Sequence, residues 1–414
     1  MLELNKIYNM DCLEGMKLLD DNSVDSIVTD PPYELGFMGK KWDSTGIAYN
    51  VELWKECLRV LKPGGHLLAF GGTRTYHRMT CAIEDAGFEI RDCIQWLYGS
   101  GFPKSHNISK AIDKRLGAKR KVVGVKQHST NFDNAMKNRT GYLQDDANKN
   151  NTKCFGYGKE EITIAATPEA QQWDGWGTGL KPANEPIVVA RKPISEKTIA
   201  DNVLKWGTGG INIDGCRVGW KDERDRKNGW RASPSKDDEN EYSSFKSGSF
   251  GKQNEQGRFP ANVILDEEAG QMLDEQSGFS RSSSGGTSTG RNFGQDYDDK
   301  SFKNLPRTGY NDSGGASRFF YCAKASKKER GEGNNHPTVK PVKLIEYLIT
   351  LITPPNGIVL DPFLGSGTTA IACINTNRNY IGFELDKQYY DIAKNRINKH
   401  ILDNNLQDKY SLII

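Results

Sequence analysis

A chain of 414 residues is long enough for two or three domains, or for one large domain carrying insertions. A formal net charge of +3, with 36% apolar and 26% charged residues, excludes a histone-like basic protein and confines any nucleic-acid surface to a local patch. No apolar run reaches membrane-spanning length, no signal-peptide pattern opens the chain, and the eight scattered cysteines include no C-x-x-C pair, so a cytoplasmic protein with reduced thiols and no metal site is expected.

In chain order, Val24 to Val28 reads as a buried strand running into Thr29-Asp30-Pro31-Pro32-Tyr33. The two prolines remove two N–H donors and stiffen the turn, while their carbonyls remain acceptors. Asp30 adds a carboxylate and Tyr33 a flat π-face. Acceptors clustered beside an aromatic ring suit one task, gripping the exocyclic amino group of an extruded base. The plainer alternative is a turn after a strand, for which Asp-Pro pairs are common. A helix follows over Val51 to Leu61, with Val51, Leu53, Trp54, Cys57, Leu58 and Leu61 at helical spacing, and Lys62-Pro63-Gly64-Gly65 is expected to end it. His66 to Phe70 reads as a strand, Thr75 to Ala86 as a helix and Phe88 to Trp96 as a strand. Such alternation argues a mostly parallel, doubly wound α/β sheet with helices on both faces.

The middle changes character. About Lys104 to Gly179 is polar and in places basic; Ala183 to Ala190 is strand-like; about Lys221 to Ser317 is largely Gly, Ser, Asn, Asp and Lys. Loops are expected there, with islands of order at Gly210 to Ile213 and Arg258 to Leu265. The run Arg115, Lys119, Arg120, Lys121 and Lys126 is either a phosphate-facing patch or a solvated face. Trp42-Asp43, the turn Gly99 to Lys104, and Lys181 are candidates for a loop near an extruded base.

The last hundred residues return to α/β alternation: a helix Val342 to Ile352, a strand Gly357 to Leu360, the loop Asp361-Pro362-Phe363-Leu364-Gly365-Ser366-Gly367, a helix Thr368 to Asn375, a strand Tyr380 to Phe383 ending in Glu384, and a helix from about Gln388 to His400. Gly365 and Gly367 let the backbone approach a ligand, and the helix start offers free N–H groups. Glu384, about twenty residues on, is placed to accept both hydroxyls of a ribose. No lysine follows Gly367, which disfavours a phosphate-binding P-loop; Ala370 stands where the dinucleotide pattern has its third glycine, a weaker exclusion because alanine is tolerated there. An adenosine-type ligand fits, the alternative being a ligand-free strand-turn-helix.

Together these motifs resemble those of the S-adenosylmethionine-dependent DNA amino-methyltransferases, the N6-adenine/N4-cytosine family. Asp30-Pro31-Pro32-Tyr33 resembles the catalytic motif, Asp361 to Thr368 the cofactor motif, and His336-Pro337-Thr338-Val339-Lys340-Pro341 the segment before the cofactor strand. The catalytic motif comes first, with a long stretch between, as in the β group of these enzymes. The likeness covers residues 5–100 and 318–400 strongly and extends more loosely over Trp176 to Pro193, which is similar to phage and prophage members.

The resemblance implies a Rossmann-like catalytic domain assembled from residues 1–193, with a loop insertion at about 104–180, and from residues 318–414; residues 194–317 would recognise the target. It implies that Asp30 and the Pro31 carbonyl hold the target amino group, with Pro32 completing the turn and Tyr33 stacking on the base. Asp11, Cys12, Asp30, Lys340, Asp361, Pro362, Phe363, Gly365, Gly367, Thr368 and Glu384 would bind the cofactor, Lys340 through the methionine carboxylate and Asp11 through the adenine amino group. Asp11 reads equally well as a helix N-cap. The substrate would be double-stranded DNA, and an Asp before the prolines favours adenine, with cytosine N4 as the alternative. A homodimer, a cognate restriction endonuclease encoded elsewhere, and a restriction, phage or orphan setting all stay open at this stage.

Overall fold

The computed structural model describes residues 2–36, 41–99, 101, 105–126, 160–219, 257–281, 286–287, 306–307, 313–323 and 339–413. The chain divides into two units, one made of Met1–Ser100 with Ala183–Ile414, the other of Gly101–Pro182.

The first unit is built on a nine-stranded sheet. Its strands are β1 (Lys6–Tyr8), β2 (Val24–Thr29), β3 (Leu61–Phe70), β4 (Glu89–Leu97), β5 (Asn184–Arg191), β6 (Val263–Asp266), β7 (Tyr321–Ala323), β8 (Ile358–Asp361) and β9 (Asn379–Phe383). The spatial order is β1-β9-β8-β2-β3-β5-β4-β6-β7. Every neighbouring pair is parallel except the two involving β5, which runs against both β3 and β4. At the centre, Val359 and Leu360 pair with Ser26 and Ile27, so the strands that end in the glycine loop and in the Asp-Pro-Pro-Tyr turn lie side by side. From β8 the chain proceeds outward to β9, while from β2 it proceeds the other way to β3. That reversal is a topological switch point, where open α/β sheets bind ligands beyond their strand ends.

Alternation along the strands builds a core on each face. Ile27, Leu67 and Ala69 pack with Met16, Leu53, Trp54 and Ile83 from α1 (Cys12–Met16), α2 (Val51–Val60) and α3 (Tyr76–Asp85). Val28, Leu68 and Phe70 pack on the other side. Their partners are Leu344, Leu348, Ile371 and Ile397 of α6 (Val342–Ile352), α7 (Thr368–Asn375) and α8 (Lys387–Asp403). In chain order, α4 (Ile199–Trp206) and α5 (Glu267–Ser277) come between these two sets of helices.

Three local outcomes bear on those expectations. Lys62-Pro63-Gly64-Gly65 is no connector: β3 begins at Leu61, directly after α2, and the strand accommodates Pro63 where its register against β2 shifts between Val24 and Ser26. The Pro63 carbonyl is taken by Asn202 and Thr208, and Gly64 supplies a left-handed φ of 78°. The strand-like run Ala183 to Ala190 forms β5, and Tyr321–Ala323 adds the edge strand β7. The Gly- and Ser-rich middle contributes β6 and α5, the latter N-capped by Asp266, which accepts from the Ala269 N–H at 2.6 Å.

The second unit contains helices Ile108–Arg115 and Pro168–Gln172 and an antiparallel hairpin of Lys121–Lys126 with Glu160–Ile164. Its organiser is Asp113, buried and accepting from the Ala166 and Thr167 backbones, the Thr167 hydroxyl and Arg120. Arg120 of the basic run is thus spent on an internal ion pair of 2.7 Å, while Arg115, Lys119 and Lys121 are exposed. The first unit gives this segment up and takes it back at one place: Leu97 pairs with Asn184, and the Tyr98 N–H donates to the Ala183 carbonyl at 3.0 Å. No described helix is long and apolar enough to cross a membrane.

Gly15, in α1, lies so close to Phe383 that an added Cβ would overlap three ring carbons of that buried side chain. Gly15→Ala is expected to lower the free energy of unfolding by about 1–3 kcal/mol, measured by urea denaturation.

Candidate active site

The two motifs meet through one hydrogen bond. At the end of β2 the Thr29 hydroxyl donates to Asp361 Oδ1 at 2.7 Å, and the Phe363 N–H donates to the same oxygen at 3.1 Å. Asp361 is buried, and that burial pushes its carboxyl up to about 6 against the opposing effect of these donors and Thr369.

One residue beyond Thr29, Asp30 begins the proline turn. Its Oδ2 receives the Lys340 ammonium at 2.5 Å, whereas Oδ1 is buried with no hydrogen-bond partner among the described residues. Lys340 also reaches Glu185 Oε2 at 3.3 Å and stands over the rings of Tyr33 and Phe70, at 5.3 and 4.9 Å from their centroids. Burial opposes its charge, but Asp30 and Glu185 outweigh that and hold the ammonium above the ordinary lysine range. The Tyr33 hydroxyl donates to Glu185 Oε2 at 2.8 Å; burial first, then the two carboxylates, raise it far above the usual phenol, so it stays a donor. Beyond it, Glu34 adopts a left-handed φ of 56°, and Asp43 fixes the bend by accepting from the Glu34 and Leu35 N–H groups at 2.9 and 3.2 Å. Asp43 is therefore a buried brace of the proline turn. The Trp42 side chain and residues 102–104, also raised as loop candidates, lie outside the described residues, as do residues 336–338 of the segment before α6; Lys181 is exposed in the second unit.

On the other side, the glycine loop crosses from β8 to α7. Gly365 and Gly367 have φ of 57° and 84°, and a Cβ on Gly367 would press on Ala393 and Ile397. Glu384, just past β9, accepts from the Gly365 N–H through Oε2 and from the Asp386 N–H through Oε1, both at 2.8 Å. Burial pushes its carboxyl up to about 7, against these two donors. Arg396 of α8 donates to the Ser366 carbonyl and, at 2.8 Å, to its hydroxyl. Pro362 in the loop and Thr368 at the start of α7 are buried, and Phe363 is partly exposed. Asn9 donates to the Glu384 carbonyl, and the Glu384 N–H donates to Tyr8, which ties the end of β1 to this corner. There Asp11 caps α1, accepting from Leu13 and Glu14; burial raises the adjacent Cys12 thiol to about 12.

Sequence reasoning missed Glu185. Its only signal is a carboxylate at the mouth of the apolar run Ile187 to Ala190, which is unremarkable until β5 is seen to run backwards. It also did not anticipate that Lys340 would meet Asp30 and Glu185. Among the described residues no group of His, Cys, Asp or Glu could hold a metal ion.

Comparison with known proteins gives a match to the DNA methylase family of N6 and N4 enzymes over residues 24–395. The chain belongs to this family. It is 23% identical over 434 aligned residues to the Type II methyltransferase M.HindIII of Haemophilus influenzae, covering 94% of each chain. It is 50% identical over 62 residues to the Type II methyltransferase M.BglII of Bacillus subtilis, covering 15% of this chain and 17% of that one. Among solved structures, the PvuII DNA methyltransferase (cytosine-N4-specific) aligns over 97% of this chain and 91% of its own, with 14% identity and a TM-score of 0.43. A likeness of that size adds nothing to the family match.

This DNA methylase is an enzyme of the N6/N4 type, a family that uses S-adenosylmethionine. The residues present fit that cofactor: a loop with two left-handed glycines, and beside it a carboxylate able to accept from a diol. Accepting two hydroxyl hydrogens requires the ionised carboxylate. With its folded value raised to about 7, Glu384 is protonated in the fold well above the range of an exposed glutamate. Fold stability from this group is therefore greatest at low pH and is lost as pH rises through about 7, whereas affinity for a diol held by this carboxylate would run the opposite way. Binding of S-adenosylhomocysteine, followed by calorimetry, is expected to weaken as pH falls below about 7, and Glu384→Gln to flatten that dependence.

Proposed function

We propose that this methylase transfers the methyl of S-adenosylmethionine to the N6 amino group of an adenine extruded from double-stranded DNA. The observation that carries the reading is Asp30 Oδ1, a buried acceptor without a partner among the described residues, in a turn that also offers the Pro31 carbonyl and the Tyr33 ring. Two acceptors on one amino group draw its hydrogens out of the ring plane and turn the nitrogen lone pair towards the methyl donor. The bound cofactor supplies a methyl on a sulfonium; the lone pair forms the N–C bond, and the C–S electrons stay on sulfur. An aspartate is too weak a base to deprotonate an aryl amine beforehand, so Asp30 acts by orientation and takes the surplus proton as the nitrogen becomes cationic, passing it to water. Tyr33 stacks on the base, worth roughly 1–3 kcal/mol.

On the cofactor side the reading gives Glu384 the ribose diol, Gly365, Gly367 and Thr368 the close approach to the ligand, Pro362 and Phe363 the pocket wall, and the Asp11–Cys12 corner the adenine. Asp361 supports both motifs from beneath. Target recognition is assigned to the part of residues 194–317 outside the sheet strand β6, as the motif order implies. The aspartate at position 30 supports adenine over cytosine.

Incubation of the full chain with unmethylated genomic DNA and labelled S-adenosylmethionine, followed by nucleoside analysis, is expected to yield N6-methyladenine; N4-methylcytosine as the only product would overturn the adenine reading. Asp30→Ala is expected to lower kcat by about a hundredfold or more while leaving S-adenosylhomocysteine bound. Tyr33→Ala is expected to weaken DNA binding about fivefold to a hundredfold, measured by fluorescence anisotropy.

A further inference from the structure

We propose that Glu185 and Lys340 are positioning residues for methyl transfer, together aiming Asp30 Oδ1 and the Tyr33 ring at the target base. The inference rests on the reading of Asp30 and Tyr33 above and extends it to two residues that touch neither base nor cofactor in it.

Free rotation about its last bond would leave the Asp30 carboxylate without a fixed direction. Lys340 removes that freedom by holding Oδ2 at 2.5 Å, which leaves Oδ1 as the oxygen to meet a donor. An ammonium is a point charge with three rotatable donors and needs fixing itself. Glu185 does this at 3.3 Å, and the faces of Tyr33 and Phe70 confine it further. The oxygen of Glu185 that meets Lys340 also accepts from the Tyr33 hydroxyl at 2.8 Å. One carboxylate thus sets both the acceptor, through Lys340, and the stacking ring, directly.

The placement follows from topology. Glu185 is the second residue of β5, the reversed strand, so its early residues lie beside the late residues of β3, and Ile187 pairs with Phe70. On a strand parallel to its neighbours, the same position would fall at the opposite edge of the sheet. Charge follows the same logic. One lysine between two carboxylates leaves a surplus negative charge in a largely buried cluster, beside the place where the amino nitrogen becomes cationic.

The test uses the full chain with unmethylated genomic DNA and S-adenosylmethionine. Glu185→Gln keeps the shape and an acceptor for Tyr33 but drops the charge; Lys340→Met removes the pin on Asp30. Both are expected to lower kcat by about tenfold to a hundredfold, the scale of a slightly misplaced reacting group, with KM for S-adenosylmethionine and the Kd of S-adenosylhomocysteine unchanged. Lys340→Met strips the cation from two part-buried carboxylates. Lys340→Arg therefore accompanies it as a charge-keeping variant and is expected to recover part of the lost kcat. A raised KM for S-adenosylmethionine with kcat intact in the Lys340 variants would overturn the proposal and make this lysine a cofactor ligand. Full kcat in Glu185→Gln would overturn it for Glu185. A wild-type chain that methylates no base would instead remove the functional reading beneath it.

Discussion

The pairing of β2 with β8 is the constraint on which everything else depends. It joins two stretches of chain more than 300 residues apart, and its last rung is a side-chain contact, Thr29 to Asp361, separated by 332 positions. Without that adjacency the acceptor-rich proline turn and the glycine loop would not face one another at the strand ends. Burial makes the contact consequential: a hydroxyl and a carboxylate taken out of water must satisfy one another, so the two strand ends cannot slide independently. The helices on both faces then act chiefly to keep the central strands dry and in register.

Much of this was legible in sequence because it is local. The helices Val342–Ile352 and Thr368–Asn375 fall where apolar spacing and the double glycine place them, and β2, β3, β8 and β9 follow runs of buried residues. Direction is not local. Ile187 to Ala190 reads the same whichever way the strand points, so nothing in the run announces that β5 is reversed or that Glu185 reaches the catalytic edge. Helix α5 escaped for another reason: only Gly270 of its residues is buried, so it lacks the apolar stripe by which helices are recognised, and Asp266 at its cap is the sole clue. A lysine before a helix likewise carries no address, and Lys340 finds two carboxylates only because three separate segments converge.

Asp11 and Glu384 each have a structural role in the fold beside the chemical one proposed for them. Asp11 caps α1 through one oxygen, Oδ1. Glu384 braces its own loop through both oxygens while lying partly desolvated, and each of its donors is a backbone N–H that a bound diol would have to share or replace. Binding of a diol there would be an exchange of hydrogen bonds rather than a simple gain, which would favour a ligand that presents two hydroxyls at once.

The meeting of Leu97 with Asn184 and of Tyr98 with Ala183 has a consequence for how such a chain can change. The excursion from Gly101 to Pro182 begins and ends at a point already closed by main-chain hydrogen bonds within the sheet. Its length is therefore nearly free: each doubling adds only about 0.6 kcal/mol of loop-closure entropy. Material can be inserted, deleted or exchanged in that excursion while the sheet keeps its register, which makes the boundary a natural graft point for new surface.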